Sequence, residues 1–328
     1  MVGNTFRQKG TIMRTITILQ NDAGQRLDKF LLKLMPDMPK SLLYKLIRKK
    51  DIKYNGARCK GMELLQCGDV LTLYVKEEFF RSGTKSLPSA ASGKINPVYE
   101  DDDILIVYKP AGMFAHSGNA KNAVVLVDEV QKYLMDKGEY HPETEQTFSP
   151  ALCNRIDRNT EGLVIAAKNA QALRAMNEAI RERHVHKSYL AVTAAPLPKK
   201  KDVCTAWLKK DSRQNMVKVL DSPPDRSWQK ICTGYRVLAQ NGNYQLVHID
   251  LLTGRTHQIR AHLAHLGAPL LGDPKYASGR SPEENQCLCS YSLHFSGLGD
   301  SCLSHLEGKR ITAAMPEFVR KYFPDAVI

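Results

Sequence analysis

Asn154-Arg155-Ile156-Asp157-Arg158-Asn159-Thr160-Glu161-Gly162 runs directly into Leu163-Val164-Ile165-Ala166-Ala167. The apolar run reads as a buried strand entered from a tight polar turn, with Gly162 closing the turn. A carboxylate at the mouth of a strand is held firmly and still faces a cleft. Asp157 stands between Arg155 and Arg158, and opposite charge within a few ångströms favours the ionised form. An ionised carboxylate suits a nucleophile or base better than an acid. Taken alone, the pattern is more often a solvated Arg-Asp-Arg loop, because charge pairs also form for structural reasons.

The surroundings change that weighting. Arg155-Ile156-Asp157-Arg158, Thr160 and Gly162-Leu163 together resemble the signature of the RluA family of pseudouridine synthases, whose Asp is catalytic; Asn154 and Glu161 stand where the family usually has His and Ser. A second block, Lys187-x-Tyr189-x-Ala191, resembles the family's next motif. The third and most specific block is Thr253-Gly254-Arg255-Thr256-His257-Gln258-Ile259-Arg260-Ala261-His262-Leu263, followed by Gly267-Ala268-Pro269-Leu270 and Gly272-Asp273-Pro274-Lys275-Tyr276. Ile104 to Tyr108, then Lys109-Pro110-Ala111-Gly112, adds a strand and turn of the same family pattern.

The resemblance implies an α+β fold with a mixed, mainly antiparallel sheet flanked by helices. It implies catalytic roles for Asp157, Tyr189 and Arg260, with Arg260 pairing bidentately with Asp157. Ile259 would pack beside the uracil, and Arg155 would fill the space left by an extruded base. The reaction breaks N1–C1′, turns the uracil and forms C5–C1′. No cofactor or metal is needed, in keeping with a chain lacking a P-loop or dinucleotide fingerprint. Attack at C1′, attack at C6 and removal of a sugar proton all remain open for Asp157. The implied partner is structured RNA, first of all large-subunit ribosomal RNA, met by a cytoplasmic monomer.

Bulk composition agrees. The chain has 328 residues, a net charge of +13 and 43% hydrophobic residues, so it can bury a sizeable core and favours a polyanionic partner. No apolar run approaches the length of a membrane span, and Met1 to Thr15 lacks the apolar core of a secretory signal. Eight cysteines without a CxxC pair fit reduced thiols. Between Arg26 and Lys60 stand eleven Lys or Arg against three Asp. Lys45, Arg48, Lys49, Lys50 and Lys53 have almost no acidic neighbours, and a one-signed patch is usually kept for a partner. Gly24-Gln25-Arg26-Leu27-Asp28 and Tyr54-Asn55-Gly56 make this stretch similar to an S4 RNA-binding domain. Arg26 and those five cations are therefore expected on RNA.

The pattern divides the chain into an extension (1–23), an S4-like module (24–80), a flexible linker (81–96) and a catalytic domain (97–328). Leu27, Phe30, Leu31 and Leu34 predict one helix, and a second is expected from Ser41 as N-cap. Ile52 to Tyr54 and Val70 to Val75 read as strands, Val98-Tyr99-Glu100 as an acidic turn, and residues 122–135 and 170–183 as helices. Residues 136–149 read as a polar loop, 196–230 as basic loops and short strands bearing on RNA, and 244–252 as an alternating strand. Two other readings compete. One is a non-catalytic RNA-binding or ribosome-assembly protein, for which Asp157 would be dispensable. The other is a metal hydrolase using His257, His262 and His265, which lacks the His-Glu-x-x-His signature.

Overall fold

The computed structural model describes residues 11–80, 91–116, 123–211 and 216–328. The chain divides into two units. The first contains β1 (Thr11–Thr17), α1 (Leu27–Leu34), α2 (Lys40–Lys49), β2 (Ile52–Tyr54), β3 (Ala57–Arg58) and β4 (Val70–Lys76). Its antiparallel sheet has the order β1-β4-β2-β3. Leu27, Phe30 and Leu31 from α1 meet Leu43 and Ile47 from α2 and Ile52, Leu71 and Leu73 from the sheet, all buried. The helical spacing read from the sequence therefore delivers one continuous apolar layer. Asn55 and Gly56, at φ +48° and +75°, make the two-residue turn between β2 and β3.

Helix α2 starts one residue before the expected cap. Pro39 is its N-cap, the Pro39 carbonyl accepts the Leu42 and Leu43 N–H groups, and Ser41 lies inside the first turn. The fixed φ of proline already suits a helix start, so no hydroxyl cap is required. Residues 134–150 also belong to this unit. There the expected polar loop is tied down: the Thr147 hydroxyl donates to buried Asp22, and Asn21 Nδ2 donates to Glu145 at 2.7 Å.

The second unit is built on β5 (Pro97–Glu100), β6 (Ile104–Lys109), β7 (Ala151–Leu152), β8 (Glu161–Ala167), β9 (Val185–Thr193), β10 (Lys201–Asp211), β11 (Met216–Leu220), β12 (Gln229–Asn241), β13 (Tyr244–Leu251), β14 (Leu288–Phe295) and β15 (Arg310–Thr312). The main path runs β11-β10-β12-β13-β9-β14-β8-β6-β5, with β7 beside β8 and β15 beside β14. Four helices complete the set of α elements: α3 (Leu126–Asp136), α4 (Ala170–Arg181), α5 (Gln258–His265) and α6 (Glu317–Tyr322). Ala172, Met176 and Ala179 of α4 pack on Ile104, Ile106, Leu163 and Ile165. The α+β class with a mainly antiparallel sheet is what the structure shows.

Two expectations are corrected. Val98-Tyr99-Glu100 is no turn; it belongs to β5, an edge strand paired with β6. Within 196–230, expected as loops and short strands, β10 is one strand of eleven residues, followed by the shorter β11. Along β10, Ala206 and Leu208 are buried while Lys201, Val203, Thr205 and Lys209 are exposed. A strand with charge on its open face reads as polar composition unless its alternation is followed. Of the expected linker, 81–90 lie outside the described residues. Residues 91–96 lie on the second unit, where the Ser92 N–H donates to the buried Glu129 carboxylate at 3.0 Å.

Among the described residues the one parallel pairing in this sheet, β8 with β14, sets Gly162 opposite Ser290. Gly162 has φ +112°, and a Cβ there would lie 2.3 Å from the Ser290 carbonyl oxygen. Only glycine permits both the conformation and the approach. Gly162→Ala is therefore expected to lower the unfolding free energy by about 2–4 kcal/mol, read from urea midpoints; an unchanged midpoint would show that the two strands can separate here without loss.

Candidate active site

Asp157 sits in the turn that leads into β8. The turn is fastened from three sides. Its own backbone closes it, Thr160 N–H donating to the Asp157 carbonyl at 3.1 Å. Asn154 Oδ1 accepts the Ile165 N–H at 2.8 Å, and Gln286 Nε2 donates to the Thr160 hydroxyl at 3.1 Å. Lys109, at the end of β6 and fully buried, donates to the carbonyls of Pro110, Met113 and Arg158 at 2.7, 2.9 and 2.9 Å. Three acceptors match the three donors of an ammonium. Burial brings the Lys109 pKa down to about 8, with Asp157 and then Glu161 opposing the fall.

The neighbours expected to flank Asp157 turn away. Arg158 donates to the Gly112 carbonyl at 3.0 Å and lies 4.8 Å over the Phe114 ring. Arg155 reaches Thr256 Oγ1 at 3.4 Å. The guanidinium on Asp157 is that of Arg260, whose Nη1 donates to Asp157 Oδ2 at 3.0 Å. The expected bidentate contact is corrected. Arg260 gives its fork to Asp273, Nε to Oδ2 at 2.7 Å and Nη2 to Oδ1 at 2.8 Å, and touches Asp157 with its remaining nitrogen. Asp273 is fully enclosed and also accepts the Lys275 and Tyr276 N–H groups at 2.9 and 3.2 Å, so it outcompetes the more open Asp157 for the fork.

Arg260 projects from α5, whose start is locked by Gln258. The Gln258 amide accepts from Thr253 Oγ1 and the Arg255 N–H, and donates to the Cys232 carbonyl and Thr233 Oγ1, all within 2.9–3.1 Å. His257, the N-cap, takes a left-handed φ of +54°. Its Nε2 lies 3.9 Å from Asp157 Oδ2. Its Nδ1 lies 2.9 Å from the Tyr276 hydroxyl, which accepts the Val217 N–H at 3.0 Å. The Tyr276 hydroxyl can donate to a neutral His257 Nδ1, the tautomer that carries its proton on Nε2 toward Asp157. Burial pushes the imidazole pKa down, with Asp157 opposing the fall. A cleft of about 720 Å³ opens over these groups, lined by Arg155, Asp157, Tyr189, His257, Ile259 and Arg260 with others. Tyr189 is 5% exposed, and burial moves its hydroxyl up to about 12.

Comparison with known proteins agrees with this geometry. Residues 103–265 match the RNA pseudouridylate synthase family. Ribosomal large subunit pseudouridine synthase C of Vibrio cholerae is 32% identical over 275 residues, covering 82% of this chain and 82% of the relative. The chain belongs to the RNA pseudouridine synthases. The enzyme of the same name from Haemophilus influenzae is 31% identical over 270 residues, covering 80% of this chain and 79% of its own. Two solved structures share the fold. Human RNA pseudouridylate synthase domain containing 4 has a TM-score of 0.54 and 22% identity, covering 68% of this chain and 89% of its own. Human RNA pseudouridylate synthase domain containing 1 has a TM-score of 0.56 and 20% identity, covering 75% and 91%. This pseudouridine synthase is thus an isomerase that converts uridine in RNA to pseudouridine.

All five residues expected in the synthase site (Asp157, Tyr189, Arg260, Arg155 and Ile259) line one cleft. The six cations expected on RNA belong to the first unit and divide by environment. Arg26 is engaged by Asp28 through Nε and Nη2 at 3.1 and 2.8 Å. Lys53 is half-buried, 6.0 Å over the Tyr74 ring. Lys45, Arg48, Lys49 and Lys50 are exposed and enter no ion pair among the described residues. The histidines weighed as metal ligands diverge, His257 to Tyr276, His262 to Thr233 and His265 to Asp221. No group of metal-ligating side chains occurs among the described residues.

Sequence reading assigned no role to Lys109, Asp273 or Tyr276, and weighed His257 only as a metal ligand. A lysine closing an apolar strand before proline, and an aspartate in Gly-Asp-Pro-Lys-Tyr, were visible, but their partners lie far along the chain. Asp273→Asn leaves Arg260 with half its buried counter-charge. The variant is expected to lose about 3 kcal/mol of stability and, in the folded fraction, about 10²-fold in turnover through misplacement of the Asp157 contact. Melting curves and single-turnover isomerisation check the two effects separately.

Proposed function

We propose that this synthase modifies uridines of large-subunit ribosomal RNA, with Asp157 as the catalytic carboxylate and Tyr189 and Arg260 as its partners. The observation that carries the reading is the Arg260–Asp157 contact at 3.0 Å on the floor of the cleft, with Tyr189 lining the same space. The substrate follows from the relatives named as ribosomal large subunit synthases.

A target uridine must leave its helix, at a cost of a few kcal/mol. Arg155, exposed at the rim, takes the vacated space, and Tyr189 offers a ring face for the extruded base. Asp157 presents its Oδ1, which carries no hydrogen bond among the described residues while Oδ2 is held by Arg260. Attack at C1′, attack at C6 and removal of a sugar proton each begin from that oxygen. The sequence is redox-neutral: N1–C1′ breaks, C5–C1′ forms, and the proton lost from C5 is balanced by one gained at N1.

The first unit is read as an S4-like RNA-binding module. Lys45, Arg48 and Lys49 extend from α2, Lys50 follows, and these four make the phosphate contacts; Arg26 is assigned to holding Asp28 instead. The reading takes the synthase as a cytoplasmic monomer, its location supported by the relatives named as ribosomal large subunit synthases.

Tritium release from 5-³H-uridine-labelled rRNA transcripts tests the core of the proposal. The parent releases tritium, and Asp157→Asn binds RNA as before but releases none; equal release by both would move catalysis away from Asp157. For the first unit, Lys45→Gln/Arg48→Gln/Lys49→Gln should flatten the log–log dependence of RNA affinity on salt by about 2–3. An unaltered slope would remove α2 from the RNA interface.

A further inference from the structure

The two tryptophans of the chain, Trp207 and Trp228, take no part in the cleft. Trp207 lies on β10 of the β10–β11–β12 ribbon, and Trp228 immediately precedes β12, its ring 5.9 Å from Lys209 Nζ. The inner face of that ribbon carries Ala206, Leu208, Val217 and Ile231 against Ala261 of α5. Its other face is open. Pairing sets Trp207 opposite Leu220 on one side and Lys230 on the other, and sets Lys209 opposite Lys218. Directly paired residues share a face, so these side chains form one patch. Trp207 and Trp228 are half-exposed; Lys209, Lys218, Leu220 and Lys230 are exposed. Val203, two residues before Thr205 on the same face, is 60% exposed.

Charge on this patch is mainly positive. Lys209 is answered by Asp225 at 3.8 Å and lies 5.9 Å over the Trp228 ring. Asp211 closes the end of β10 on the same face, opposite Met216. Lys218 and Lys230 enter no ion pair among the described residues. Open aromatic rings between unpaired lysines are costly to leave in water and have a specific complement. Bases stack on such rings at about 1–3 kcal/mol each, while lysines follow the phosphates. A protein surface would need acids for Lys218 and Lys230 and apolar area for the rest; an unpaired RNA strand supplies both kinds of group at every nucleotide.

We propose that the outer face of β10–β12 is a binding surface for single-stranded RNA, with bases stacking on Trp207 and Trp228 and phosphates on Lys218 and Lys230. The proposal rests on the synthase acting on structured RNA and adds a second contact, on the opposite face of the ribbon from α5. Lys209, which also borders the cleft, links the two. Unpaired RNA beside the target uridine is the natural occupant, so the surface selects uridines flanked by single strands.

Because the chain has no other tryptophan, intrinsic emission reports on Trp207 and Trp228. The full-length protein is titrated with a 12-nucleotide oligoadenylate, which offers no uridine to the cleft, and with an abasic oligomer of the same length. A saturable quench is expected with oligoadenylate and none with the abasic strand. Lys218→Gln/Lys230→Gln should weaken the quench isotherm about tenfold while leaving the melting temperature and tritium release from a minimal stem-loop unchanged. Oligoadenylate binding without quenching, equal quenching by the abasic strand, or an unshifted isotherm in the double variant would each overturn the surface. Because turnover is followed in parallel, such a failure is distinguishable from a failure of the synthase reading.

Discussion

The guanidinium of Arg260, shared between two carboxylates, is the constraint on which the site depends. Asp273 takes the fork and fixes the plane; the remaining nitrogen then points to one place, and Asp157 is there. A buried ion pair contributes little net stability, since desolvation offsets its attraction, but it strongly favours one geometry over others. Here the excess charge is also useful. Two carboxylates around one guanidinium leave the outer one, Asp157, with one oxygen outside that contact, the oxygen the proposed chemistry uses. Tyr276 stacks under the same guanidinium at 5.3 Å and orients His257 as well, so the short stretch from Asp273 to Tyr276 positions both side chains that approach Asp157 Oδ2.

Much of this was legible in the amino-acid order. Strong helical spacing gave α1 and α4, and the apolar run after Gly162 gave β8, because local burial patterns dominate there. Asp157, Tyr189 and Arg260 could be placed by resemblance although the first and last stand 103 residues apart in sequence, and the structure brings them to one cleft. What stayed hidden was pairing. Nothing in Arg155-Ile156-Asp157-Arg158 says that both flanking arginines turn away from Asp157, since that depends on Thr256 for Arg155 and on the Gly112 carbonyl and the Phe114 ring for Arg158. Nothing near Arg260 says that it prefers Asp273. The same holds for β10 and β12, whose charged outer faces concealed two of the longest strands.

The two kinds of basic surface differ in character. On α2 the cations stand on a helix whose one aromatic, half-buried Tyr44, is turned to Asp28, an arrangement suited to charge. On the β10–β12 ribbon the lysines alternate with indole rings, which respond to bases. Lys109 represents a third use of positive charge, enclosed and spent entirely on backbone carbonyls.

The parallel seam between β8 and β14 has a consequence for how the enzyme comes into being. Gly162 meets Ser290 across more than a third of the chain, and the Arg260–Asp157 contact spans 103 residues. Closing loops of that length is entropically slow and waits for the distal segment. A ribosome making this protein must therefore pass Ser290 before the Asp157 turn acquires its neighbouring strand. Fragments ending earlier carry the aspartate without the strand that pairs beside its turn.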